Sequence, residues 1–171
     1  MGGTRIPREV VPICGAIFAD ESKLAAAKEL LVSELGPISQ TSPVYPFVQT
    51  DYYRDEMGED LRRLFWAFEP PRDPGELPDW KLASNRIENE LANAAGGRTV
   101  NLDPGYVARE KLVLASTKNY GHRIYLRDGI YAEVTLTYRQ EAWRHYDYSF
   151  PEYRRPDYHV FFTKVRGRLV G

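Results

Sequence analysis

The stretch H-R-I-Y-L-R-D-G-I-Y-A-E-V-T-L-T-Y-R, residues 122–139, decides how the chain is read. Two runs, His122 to Leu126 and Ile130 to Arg139, flank the turn pair Asp128-Gly129, the pattern of a β-hairpin. A two-residue turn at Asp128-Gly129 would set Leu126 opposite Tyr131 and Ile124 opposite Glu133, seating a carboxylate among aliphatics. A three-residue loop, Arg127 to Gly129, with Gly129 left-handed in a bulge, instead pairs Leu126 with Ile130, Ile124 with Ala132 and His122 with Val134. One face then becomes apolar. The opposite face carries Arg123 against Glu133 and Tyr125 against Tyr131, with Thr135 and Thr137 further along. On an open face the Arg123–Glu133 pair contributes at most about 1 kcal/mol. Under a covering element, the same side chains would line a polar pocket that takes an anion through Arg123.

Upstream of the hairpin, Val10 to Ala19 is apolar and partly β-branched, and Asp20, Glu21 and Ser22 supply capping groups for a helix. Leu24, Ala27, Leu31 and Leu35 keep helical spacing until Gly36-Pro37 stops it. Phe47 to Tyr53 and Leu61 to Glu69 read as strands around a charged turn at Met57-Gly58, with Leu64, Trp66 and Phe68 on one face. A second helix begins near Asp79, with Trp80, Ala83, Ile87, Leu91 and Ala94 on its inner stripe and Asn85, Arg86, Glu88 and Asn89 off it; Gly96-Gly97 ends it. Thr99 to Leu102 is a short strand, and Tyr106 to Ser116, where the apolar run Leu112 to Ala115 does not by its period separate strand from helix, is read as a further one. Downstream, Pro156 to Arg168 is a helix with Tyr158, Phe161, Phe162 and Val165 inward. The expected fold is therefore α+β, a single domain over 1–171 with a largely antiparallel sheet. It starts with a ferredoxin-like β-α-β-β-α-β order and closes with a hairpin and a helix. Residues 1–9 are expected to form a flexible arm.

Composition narrows the function classes. The 171 residues carry 24 acidic and 23 basic side chains, a net charge of -1, so no overall field draws the chain to nucleic acid or membrane. No run approaches the roughly 20 apolar residues of a membrane span. The single cysteine, Cys14, lies in an apolar run and has no partner for a disulfide, which suits a cytoplasmic protein.

The phrases D-Y-Y-R-D-E-M-G at 51–58, V-N-L-D-P-G-Y at 100–106, K-L-V-L-A-S-T-K at 111–118 and G-I-Y-A-E-V-T-L at 129–136 together resemble a bacterial and archaeal family of unknown function, DUF4416. The resemblance covers about Pro12 to Val165. Members are sometimes labelled GTP-binding, and the resemblance implies at most that label. It implies no catalytic residues. The residues lack the ordinary basis for GTP: there is no G-x-x-x-x-G-K-[ST], Asp20 and Glu21 occupy the strand-to-helix junction, and S-T-K-N at 116–119 stands where N-K-x-D would be sought.

Several side chains remain as candidates. Asn101 and Asp103 sit at the end of a strand; the plain reading of Asp103-Pro104-Gly105 is a turn, the functional one a polar or metal-binding pair, although one carboxylate and one amide are a poor metal set. His122, His145 and His159 lack zinc-ligand spacing. His122 can serve as an acid or base, as can Glu133. The acidic residues Asp51, Asp55, Glu56, Glu59 and Asp60 are interspersed with arginines, as in a solvated turn, and would make a divalent site only if Asp51 and Glu56 met Glu133. No metal site is expected, and the residues leave the cofactor unknown. The leading expectation is a module holding a small anionic ligand, nucleotides included, at Lys118, Arg123, Tyr125, Tyr131 and Glu133, with Asn101 and Asp103 as further candidates. The alternatives are a metal-assisted phosphoryl-transfer or hydrolytic enzyme using His122 or Glu133, and an assembly protein whose aromatic segment Trp143 to Tyr158 meets a partner or a second copy.

Overall fold

The computed structural model describes residues 1–48 and 51–171. Among the described residues nine strands form one antiparallel sheet with helices on both faces. The first strand, β1 (Val11–Phe18), is buried along its whole length, which explains its unbroken apolar run: neither face meets water. Helix α1 (Glu21–Leu35) follows, capped by Asp20, whose carboxylate accepts the backbone N–H groups of Ser22 and Lys23. Strands β2 (Ile38–Thr41) and β3 (Tyr45–Pro46) both pair with β4 (Arg62–Phe68).

The expected strand at Phe47 to Tyr53 is therefore replaced by the short strands before it. Part of that expectation, residues 49–50, lies outside the described residues; Arg54–Met57 is a single helical turn, α2, rather than an extended run into a turn. Leu64, Trp66 and Phe68 share a face, packing with α1 and with α3 (Leu77–Glu90). Helix α3 starts two residues before Asp79 and ends at Glu90, so Ala94 is exposed and Gly96 lies beyond it. Glu88, expected off the inner stripe, is buried for a reason given below.

Strand β5 (Val100–Val107) then lies beside β1, giving the order β2-β4-β1-β5 and so the ferredoxin-like arrangement, all antiparallel. Its length corrects the turn reading of Asp103-Pro104-Gly105: all three residues are in the strand, opposite Gly15, Cys14 and Ile13 of β1. The sheet is extended by β6 (Lys111–Ser116), β8 (Ile130–Arg139) and β7 (Arg123–Arg127), with β9 (Ala142–His145) pairing with β8. Helix α4 (Pro156–Gly167) covers the second face with Tyr158, Phe161, Phe162 and Val165 against Ile13, Phe65, Leu112 and Leu136.

The hairpin keeps the expected register, with Arg123 opposite Glu133, Ile124 opposite Ala132 and Tyr125 opposite Tyr131. Its loop differs. Asp128 and Gly129 both have positive φ, 53° and 77°, so they make a two-residue turn closed by Arg127 and Ile130, and the extra residue falls at Leu126. Aspartate tolerates the left-handed region, which makes that turn available. Burial also falls differently on the two faces. Ile130 is buried against the α3 side, but Ile124, on the edge strand, is 69% exposed. On the ionic face Glu133 and Thr135 are covered, 2% and 0% exposed, whereas Tyr125 beside the turn is 56% exposed.

Candidate functional site

The covered ionic face borders a break in the sheet. Pairing of β5 with β6 begins only at Gly105 opposite Leu114. There the strands approach so closely that a Cβ on Gly105 would lie 2.3 Å from the Val113 carbonyl oxygen, leaving glycine as the residue that fits. Before that point the strands part, because Pro104 has no N–H to offer. At Leu102 two side chains of α3 take the place of the missing strand: Glu88 accepts the Leu102 N–H at 2.8 Å and Lys81 Nζ donates to the Leu102 carbonyl at 3.5 Å. Burial pushes the Glu88 carboxyl above the usual glutamate range, although the Leu102 N–H and Lys81 pull the other way.

The break opens into a cavity of about 690 Å³. One wall is a chain of polar contacts built on β4 and β5. Arg63, 3% exposed, donates to Asp103 at 2.9 Å and to Glu152 at 3.5 Å. Asn101 donates to Asp103 at 2.9 Å and accepts from Arg98 at 2.9 Å, and Arg98 is paired with Glu56 at 3.0 Å. Hydrogen bonds from Arg98 hold the Glu56 carboxyl below the usual range. Glu56 is thus committed to Arg98, and Asp51 is an exposed partner of Arg54; the two do not converge with Glu133. Among the described residues no group of three His, Cys, Asp or Glu side chains is placed to hold a metal ion.

The facing wall comes from the hairpin. Glu133 accepts from His122 Nε2 at 2.8 Å and Arg123 Nε at 3.1 Å on one oxygen, and from Thr135 Oγ1 at 2.7 Å on the other. With Glu133 accepting, Nε2 carries the imidazole hydrogen. The His122 ring stacks on Tyr148, centroids 4.1 Å apart, and Tyr148 is fixed by its hydroxyl donating to the Val134 carbonyl at 2.6 Å. Arg123 also donates to Ser116 Oγ at 2.9 Å and to the Lys118 carbonyl at 3.2 Å.

Six of the eight candidate side chains read from the sequence line this one cavity: Asn101, Asp103, Lys118, His122, Arg123 and Glu133. Tyr125 and Tyr131 do not; they pack edge to face on each other, 5.3 Å between centroids. Lys81, Arg63, Arg98 and Glu152 complete its charged lining. Of these, Arg63 left a trace in the sequence, since period-two alternation places it on the same face as the buried Phe65 and Ala67. In the expected docking segment Trp143 to Tyr158, the side chains of Trp143, Tyr153 and Tyr158 are buried in the core that includes α4, whereas Arg144 to Asp147 and Phe150 are exposed.

A family model matches residues 8–168, nearly the whole chain. The chain belongs to the family described as Domain of unknown function (DUF4416). No curated protein and no solved structure matches it. In this DUF4416 chain the junction of β1 and α1 is closed by Asp20, whose carboxylate occupies the first helical N–H groups that a phosphate would otherwise use. None of its described helices is long and apolar enough to cross a membrane.

Proposed function

We propose that the cavity holds a small anionic ligand of phosphometabolite or nucleotide size. One observation carries the reading: the break between β5 and β6 admits Lys81 from the far side of the sheet and faces Lys118, and neither lysine has a carboxylate partner among the described residues. The lining holds five lysine and arginine side chains and three carboxylates. Two further carboxylates stand just behind this lining, Glu56 paired with Arg98 and Glu88 beside Lys81. Arg63 Nε and the Tyr153 hydroxyl, on two lining residues, are buried donors without partners among the described residues. The volume is within the roughly 300–1,000 Å³ of small-molecule sites. Tyr53, Tyr120 and Tyr148 add aromatic surface for a flat ring.

Thermal denaturation across a panel of nucleotides and phosphorylated metabolites tests this. A ligand at about 100 times its Kd adds roughly 2.7 kcal/mol, which for a chain of this length raises Tm by about 5–10 °C. Lys118→Met and Lys81→Met each remove a charged donor worth about 1.5–3 kcal/mol, weakening binding about 10- to 150-fold. A panel with no shift, or shifts untouched by both substitutions, defeats the reading.

A further inference from the structure

Resting on that reading of the cavity, we propose that His122 is a nucleophile that accepts a phosphoryl group from the bound anion. A histidine nucleophile needs a ring nitrogen with an available lone pair, a fixed orientation, and cations beside the incoming phosphoryl oxygens. Because Glu133 accepts from Nε2, the lone pair is on Nδ1, which has no hydrogen-bond partner among the described residues. The ring is held at two places, by Glu133 at 2.8 Å and by the face of Tyr148 at 4.1 Å. Glu133 is itself fixed by Arg123 and Thr135, so the support extends one layer behind the ring. Lys118, Arg123 and Lys81 line the same cavity and supply the positive charge that a phosphoryl group requires.

In the first step the Nδ1 lone pair forms an N–P bond while the bond from phosphorus to the leaving group breaks with its electron pair, and the leaving group is protonated from water. The ring keeps its Nε2 hydrogen, and the charge gained on phosphorylation faces the Glu133 carboxylate. In the second step a water oxygen attacks phosphorus, the N–P electron pair returns to Nδ1, phosphate departs and the surplus proton passes to solvent. Histidine carries the covalent step, and Glu133 is a positioning residue.

The experiment uses the full chain with phosphoramidate, whose leaving group departs as ammonia, and reads two signals: thermal stabilisation by the probe and peptide mass under alkaline conditions that preserve phosphohistidine. The expected result is stabilisation together with an added PO₃ mass on the peptide holding His122, lost on acid treatment and absent in His122→Asn. In Glu133→Gln labelling slows by roughly a hundredfold or more, because an amide no longer holds the ring in one tautomer. Nitrogen NMR of the same variant shows the His122 ring leaving the pure Nε2–H tautomer, a change that loss of packing alone does not produce. Stabilisation without label on His122 overturns the nucleophile and leaves the binding site standing. Label on other histidines or lysines to the same extent also overturns it. Absence of both signals overturns the two proposals together.

Discussion

Replacing Glu88 tests whether helix α3 stands in for a missing strand. Leu102 is fully buried and its N–H has Glu88 as acceptor at 2.8 Å. Glu88→Ala leaves that N–H without a partner, a loss of about 1–3 kcal/mol, or roughly 2–12 °C in Tm for a chain of this length. Glu88→Gln keeps a carbonyl acceptor at the same reach and removes the buried ionisable group. Burial raises the folded-state pKa of Glu88 above its ordinary 4.5. Between 4.5 and that higher value the folded chain binds more protons than the unfolded one, so the contribution of Glu88 to stability is full below 4.5 and declines as pH rises. Urea denaturation of the three proteins at a series of pH values is the assay. The glutamine variant gains on the wild type as pH rises through this window, while the alanine variant stays below the glutamine variant throughout. Equal stability of the alanine and glutamine variants, or a wild-type-to-glutamine gap that does not move with pH, refutes the reasoning.

Three further outcomes are expected. Gly105→Ala drives a Cβ to 2.3 Å from the Val113 carbonyl oxygen, and the overpacking lowers stability by about 1–3 kcal/mol in chemical denaturation. Arg63→Met strands Asp103 and Glu152 beside a buried apolar side chain and destabilises by about 3–5 kcal/mol, part of it recovered when Glu152→Gln is added. His159, whose Nε2 donates to the Tyr153 carbonyl at 2.7 Å, has its pKa lowered by burial from 6.5. Its stabilisation is full above pH 6.5 and is lost as pH falls through the lower folded value, so His159→Asn flattens the acid side of the stability profile.

What the sequence disclosed follows from how local each signal is. Alternation along 122–139 fixed the pairing of Arg123 with Glu133, because one register alone keeps carboxylates from aliphatics, and helical spacing placed Tyr158, Phe161, Phe162 and Val165 inward on α4. The turn at Gln140-Glu141, with φ of 50° and 59°, carries no glycine or proline, so β9 was not legible. Asp103-Pro104-Gly105 has the composition of a turn, and its place in a strand depends on β1 on one side and on Glu88 and Lys81 on the other. Those partners are distant in sequence, and so is the meeting of Arg63 with Asp103 and Glu152. The site was half readable for the same reason. The hairpin supplied Arg123 and Glu133 by pattern, whereas the wall they face is assembled by tertiary packing.

The most direct measurement is a crystal of the chain soaked in a heavy tetrahedral anion such as tungstate, with its position taken from anomalous scattering. The cavity account predicts a peak between Lys81 and Lys118, within reach of Arg123 and His122, that disappears when both lysines are methionine. Peaks confined to the outer surface, with the space between β5 and β6 holding only solvent, would contradict it.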